Sequence, residues 1–413
     1  MNFELVALLA TAVLGYGFFS KPAEERGLTG PMFFTIVGAL LFYFGVPGMG
    51  EGHGEERHEA HELGTPHWVH TLAEVALALI LFVDASNVSL ARLRSDGGWI
   101  LRLLGLALPL TILLGTGVGL LLCSELTVVE AALVAAMLAP TDAALGLAVV
   151  NHPGIPQKVR QTLNVESGLN DGMVLPAVVA LGCLAATHAG FSVEITRNGL
   201  GWVEFGLAQG VGGPLIGIAI GWIGGKLVER FGSEPATMSP GFLRLAAPAL
   251  AWLALATAES LGANGFLAAF TAGLAVGATT DRCRETLQEF GEAAGELLAL
   301  LTFAAFGAFL VPGLFTDFEP SRLGMALFAL TAMRMGPVLL SLRGTGMDRR
   351  TSLFISWFGP RGIASILFLL LVGDRVPHPA AVSQVVAWTV LLSIFAHGAT
   401  AGPWARRYAQ ATG

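Results

Sequence analysis

Residues 165–172 read Val165-Glu-Ser-Gly-Leu-Asn-Asp-Gly172, and the fold turns on whether they lie inside a membrane. They sit in a largely apolar run, 161–187. A bilayer crossing needs about 20 such residues. On an α-helix Glu166 and Asn170 are one turn apart, as are Ser167 and Asp171. One face then carries several oxygen ligands. Hard monovalent cations prefer such oxygens, and one ionised carboxylate neutralises one bound cation. Read instead as cytoplasmic loop, the same residues leave a short span from Met173 to Thr187. Composition alone leaves both readings open.

The rest of the chain favours lipid as the solvent. Of its 413 residues 54% are apolar and only 13% charged, where a soluble domain carries about 25%. The mean hydropathy of +0.68 agrees. A soluble enzyme and a disordered chain are excluded as first readings. The net charge of −7 offers no basic field for nucleic acid. The 53 glycines have no triplet period and suit close helix packing. Cys123, Cys183 and Cys283 share no short spacing, which argues against a disulfide framework.

Thirteen apolar segments are expected to span: 3–19, 30–47, 68–84, 98–122, 127–150, 161–187, 202–225, 242–259, 262–279, 292–311, 322–342, 351–372 and 380–404. With the N-terminus outside, seventeen Lys and Arg fall on the inner side. Four lie outside (Arg57, Arg197, Arg322 and Arg375), and Arg334 and Arg361 fall within spans. That asymmetry fits the positive-inside rule and supports the count. The first segment carries Glu4 in place of a basic leader, so it reads as a retained span rather than a signal peptide. The one long polar stretch, 51–67, is histidine-rich. It reads as a solvated outer connector, although its histidines could hold a metal. No attached soluble domain is expected.

Ionisable groups inside spans cost about 2.5–3.5 kcal/mol each even on lenient scales, and they mark function by default. The fifth segment contains Met137-Leu-Ala-Pro-Thr-Asp-Ala-Ala-Leu145. Pro140 breaks or kinks its helix, leaving Thr141 and Asp142 near mid-membrane. A plain kink with Thr141 bonding a freed carbonyl is the simpler reading, but it leaves Asp142 unexplained. The twelfth contains Ser356-Trp-Phe-Gly-Pro-Arg-Gly-Ile-Ala-Ser365, where Gly359, Pro360 and Gly362 interrupt the helix around Arg361. Arg361, and Arg334 in the eleventh, lie too deep to snorkel, so both are expected to have anionic partners. With the seventh segment as connector, the interruptions occupy matching places in two six-helix halves of opposite topology. That pattern points to a secondary-transporter site at the bilayer midplane. Asp142 and Arg361 can neutralise the exposed helix ends. Asp84 is expected to face an inner funnel or to cap a helix. Glu74, Glu130, Glu204, Glu259 and His397 are expected to reach the headgroups. Glu292 and Glu296 receive no role.

Taken together, Thr141-Asp142, Glu166-Ser167-x-x-Asn170-Asp171, Arg334 and Gly359-Pro-Arg-Gly362 resemble the monovalent cation:proton antiporter superfamily. The likeness covers the whole chain and is nearest the NhaP/NHE-like sodium/proton exchangers. It implies an all-α polytopic fold of about thirteen helices, with two inverted repeats and crossed broken helices as in NhaA-like antiporters. It also implies a homodimer, with a dimerisation domain at 1–97 and 188–311 and a mobile core at 98–187 and 312–413. Asp171 is then the carboxylate that takes cation or proton. Ser167, Glu166 and the Thr141 carbonyl complete the Na⁺ shell, with Asp142 nearby. Asn170 is a hydrogen-bonder, Arg334 pairs with Glu166, and Arg361 stabilises the crossing. Asp84 matches a family acid loosely. The asparagine before Asp171 is similar to the electroneutral branch. The implied activity is elevator-like exchange of Na⁺ or Li⁺ for H⁺ in a bacterial inner membrane, N-terminus outside and C-terminus cytoplasmic. No cofactor is implied. The alternatives are K⁺/H⁺ exchange on the same fold and a sodium-coupled organic-anion symporter. Enzymatic hydrolysis finds no nucleophile or metal spacing within the spans.

Overall fold

The computed structural model describes residues 3–46, 66–88, 98–142, 144–146, 149, 152–190, 207–233, 237–316 and 318–412, and these form helices joined by short connections. In chain order the helices are α1 (Phe3–Glu25), α2 (Gly30–Tyr43), α3 (His67–Ser86), α4 (Gly98–Leu122), α5 (Val128–Met137), α6 (Gln157–His188) and α7 (Ala208–Gly232). They continue with α8 (Pro240–Ser260), α9 (Gly265–Thr279), α10 (Arg284–Ala305), α11 (Pro320–Ser341), α12a (Arg349–Trp357), α12b (Ile363–Val372) and α13 (Pro379–Thr412). Every apolar segment read from the sequence contains helix. Among the described residues nine helices are long and apolar enough to cross a membrane, and α2, α5 and α9 are shorter apolar helices. The protein is therefore an integral membrane protein of packed helices. The histidine-rich stretch up to residue 65, with Arg57, Arg92, Arg94, Arg197 and Glu204, lies outside the described residues.

Local chemistry explains several helix starts. Thr127 and Glu130 form a reciprocal capping box at the head of α5. Asn264 accepts from the Leu267 N–H at α9 (2.8 Å), and Asp348 accepts from the Thr351 N–H at α12a (3.0 Å). Pro22 accompanies a kink in α1 at Phe19.

Faces divide by solvent. α7 exposes Leu215, Trp222 and Leu227 while burying Gly213, Gly217, Gly221 and Gly225. That glycine stripe lies on α9, where a Cβ at Gly217 would sit 2.1 Å from the Ala268 carbonyl oxygen. At the centre α12b is buried along Ile363–Leu370.

The expected helical span at 161–187 is present: α6 starts at Gln157 and runs unbroken through 165–172. Elsewhere the helices differ from expectation. α10 starts at Arg284 rather than 292, because a helix persists beyond the apolar stretch that a hydropathy reading detects. α11 is interrupted at Thr331 (φ −110°, ψ −95°), which re-aims the half carrying Arg334.

Candidate functional site

The two interrupted segments meet, and each caps the other. α5 ends at Met137 ahead of Pro140, which has no N–H to continue the ladder. The chain then passes the gap between α12a and α12b. There the Asp142 N–H donates to the Pro360 carbonyl (2.8 Å), and Asp142 Oδ2 accepts from the Ile363 N–H (2.8 Å). Ile363 opens α12b, so the carboxylate sits on the positive end of that half-helix. In return, Arg361 donates through Nη1 to the carbonyls of Ala139 and Pro140, just past the negative end of α5. Ser365 Oγ donates to the Met137 carbonyl (2.8 Å).

Glycine is required at this crossing by space. A Cβ at Gly362 would lie 1.9 Å from Asp142 Oδ2, and one at Gly359 would lie 2.3 Å from Arg334 Nε. Gly362→Ala is therefore expected to break the Asp142 cap, lowering the melting temperature and slowing transport. Gly336→Ala, which meets nothing within 4 Å, serves as the control. Equal behaviour of the two variants would remove the crossing from the account.

Against this crossing lies one face of α6. The Ser167 hydroxyl donates to the Thr141 carbonyl, and Asn170 Nδ2 donates to Thr141 Oγ1 (2.8 Å). Glu166 forms a bidentate pair with Arg334 (Nη1–Oε1 2.5 Å, Nη2–Oε2 2.9 Å), both side chains being buried. Asp171, one turn past Ser167, is 7% exposed, and its Oδ1 accepts no hydrogen bond from a described residue. Two further carboxyl groups, those of Asp84 and Asp142, lie within electrostatic reach of it. Asp84 on α3 lies against Gly168, three residues before Asp171. A narrow cleft lined by Thr141, Asp142, Gly146, Leu163, Ser167 and Pro360 reaches the crossing. A larger cavity of about 200 Å³ lies away from these oxygens, between His70 and Glu74 on α3 and Asp374 and Arg375 beyond α12b.

Comparison with known proteins gives this geometry its setting. The family model described as "Sodium/hydrogen exchanger, transmembrane" matches residues 8–407. The chain belongs to the sodium/hydrogen exchanger family. It is 26% identical over 344 residues to the K(+)/H(+) antiporter NhaP2 of Shewanella oneidensis, covering 78% of this chain and 58% of the relative. It is 27% identical over 382 residues to the K(+)/H(+) antiporter NhaP of Alkalimonas amylolytica, covering 90% and 61%. The chain thus spans about three fifths of the length of these curated relatives. Among solved structures it resembles the sodium proton antiporter MjNhaP1 of Methanocaldococcus jannaschii with a TM-score of 0.74 at 19% identity, covering 99% of this chain and 100% of that one. That likeness concerns the fold.

Within the chain, residues singled out in the sequence gather at one place: Thr141, Asp142, Ser167 and Asn170 with Arg361 at the crossing, Glu166 and Arg334 as a pair beside them, and Asp84 behind α6. The Glu166–Arg334 pair implied by the resemblance does form, with both Glu166 oxygens accepting from Arg334. Several expectations need correction. Arg361 has no carboxylate partner among the described residues; helix-end carbonyls take that role, and its Nε and Nη2 remain without a hydrogen bond. Glu130 is fully buried, held by Thr127 and His378, instead of reaching headgroups. His397 is 1% exposed and hydrogen-bonded inside the bundle. Glu259 turns back to accept from the Gly265 N–H (2.9 Å), and Glu292 accepts from Asn87 (3.2 Å). Sequence reading missed Ser365 and Ser393. For Ser393 the signal is a polar spacing on α13, Ser393-x-x-x-His397-x-x-Thr400.

Proposed function

We propose that the protein is an electroneutral antiporter exchanging Na⁺ or Li⁺ for H⁺, with Asp171 taking either ion in turn. One observation carries the reading. Two acids on α6 are buried a few residues apart, and among the described residues Glu166 alone of the two pairs with an arginine. Asp171 has an oxygen with no hydrogen-bond donor among the described residues and has two further carboxyl groups, Asp84 and Asp142, near it. A buried carboxylate in that setting requires a positive particle. A proton satisfies it, and so does a small cation completed by Ser167 Oγ and the Thr141 carbonyl. Binding a cation between those two oxygens means breaking the hydrogen bond that now joins them. Asn170 holds Thr141 in place, Asp142 and Arg361 hold the crossing, and Glu166–Arg334 braces α6 against α11.

A single titrating ligand gives each half-cycle the same charge, so exchange leaves the membrane potential unchanged. On this reading thirteen spans form two inverted six-helix units. The core (98–187 and 312–413) shifts elevator-like against 1–97 and 188–311 in a homodimer of a bacterial inner membrane, N-terminus outside. K⁺ in place of Na⁺ is the second reading, favoured by the K(+)/H(+) names of the relatives above.

Both readings are tested in sealed phosphatidylethanolamine–phosphatidylglycerol vesicles. An inward Na⁺ gradient is expected to alkalinise the lumen, because each Na⁺ that enters sends a proton out, at a rate indifferent to a valinomycin clamp. A strong response to the clamp would contradict electroneutrality. Parallel runs with Na⁺, Li⁺ and K⁺ decide the cation.

A further inference from the structure

The gap in α12 is itself gripped from α13. Ser393 and His397 lie one turn apart on that helix, 0% and 1% exposed. Ser393 Oγ accepts from the Arg361 N–H (2.6 Å), inside the gap. His397 Nε2 lies 3.1 Å from the carbonyl of Trp357, the last residue of α12a. A carbonyl only accepts, so Nε2 carries a hydrogen. Nδ1 stands 3.2 Å from both the hydroxyl and the carbonyl oxygen of Ser393. Arg361 N–H thus donates to Ser393, His397 packs its ring against Ser393, and His397 Nε2–H reaches Trp357. One turn further on, Thr400 Oγ1 accepts from the Trp357 indole (3.2 Å), and Trp404 stacks on the same ring at 5.4 Å. Both lips of the break are therefore tied to one stripe of α13.

We propose that Ser393 and His397 are positioning residues that set the opening of the α12 gap and, through it, the place of the Thr141 carbonyl. The path is short. Arg361, fixed by Ser393 at its backbone, reaches the carbonyls of Ala139 and Pro140 with its side chain. Pro360 receives the Asp142 N–H. Thr141 lies between these held points, with its carbonyl turned to Ser167. Movement of the gap is thus passed to a proposed cation ligand by residues that touch neither ion. The inference rests on the exchanger reading.

Ser393→Ala removes a single oxygen and strands the Arg361 N–H. In vesicles of the composition above, its apparent KM for the driving cation is expected to rise about tenfold, with the Li⁺:Na⁺ preference altered. That is within the cost of one unmet buried donor. Ser393→Thr keeps the hydroxyl and is expected to restore the KM to near wild type. A purely structural role would lower the melting temperature and the amount of folded protein while leaving KM and preference unchanged. That result would overturn the proposal. If Ser393→Ala does not fold, His397→Gln decides. It keeps an N–H for Trp357 and loses the ring nitrogen that stands beside Ser393, so an unchanged KM in it also overturns the proposal. Absence of cation-driven proton flux in wild-type vesicles is a different failure, that of the exchanger reading. The clamp is then judged by amide hydrogen exchange over 358–363, expected to quicken in Ser393→Ala, and unchanged exchange there refutes it.

Discussion

Asparagine at position 171 is expected to abolish cation–proton exchange, reducing flux to that of empty vesicles, while the protein folds as well as wild type. Asn matches Asp in shape, so packing around a 7%-exposed side chain is kept. What goes is the group that can hold a charge. Wild type buries a carboxylate oxygen with no donor beside it, an arrangement that costs stability unless a proton or cation is present. The variant's melting temperature is accordingly expected to equal or exceed that of wild type. It is also expected to lose the wild-type stabilisation by added Na⁺, since only a bound ligand favours the native state. Residual exchange near the wild-type rate would remove Asp171 from the centre of the account. A collapse in folding would show its role to be structural.

The second large effect concerns the pair behind the site. Glu166→Gln or Arg334→Met each leaves one buried charge without its partner, and the expected loss is about 3–5 kcal/mol. The pair spans two elements, α6 and α11, with no bulk water around it. Both single variants are expected to melt well below wild type. Replacing both together removes both charges, and the double variant is expected to regain most of that stability. Exchange should recover less fully than stability, because the brace that orients α6 is gone. Single variants that melt with wild type would contradict the pairing. A double variant that adds the two losses would show that each residue acts separately.

The breaks in the fifth and twelfth segments were legible because Pro140 and Gly359-Pro360 act on the backbone within a turn of themselves. The acids on α6 were legible through helical spacing once the segment was read as a span. The Glu166–Arg334 pair joins residues 168 positions apart. Nothing local encodes it, and family resemblance supplied it. The exchange of caps at the crossing is similar: each charge serves the other segment's helix end, so its use depends on how two helices cross. Glu130 and His397 were misread for one reason. Distance from the end of a segment estimates depth in a membrane, but burial comes from neighbours, here Thr127 and His378 for the one and Trp357 and Ser393 for the other. The interruption of α11 at Thr331 left no local signal. Its hydroxyl bonds back to the Leu327 carbonyl, as Thr111 and Thr116 do in an unbroken α4.

Proton release on cation binding tests the shared carboxylate most directly. Purified protein in weakly buffered detergent solution, at a pH where the site is protonated, is titrated with NaCl against a choline chloride control. The account predicts one proton released per cation bound by wild type and none by Asp171→Asn. Cation binding without proton release, or undiminished release from the variant, would contradict it.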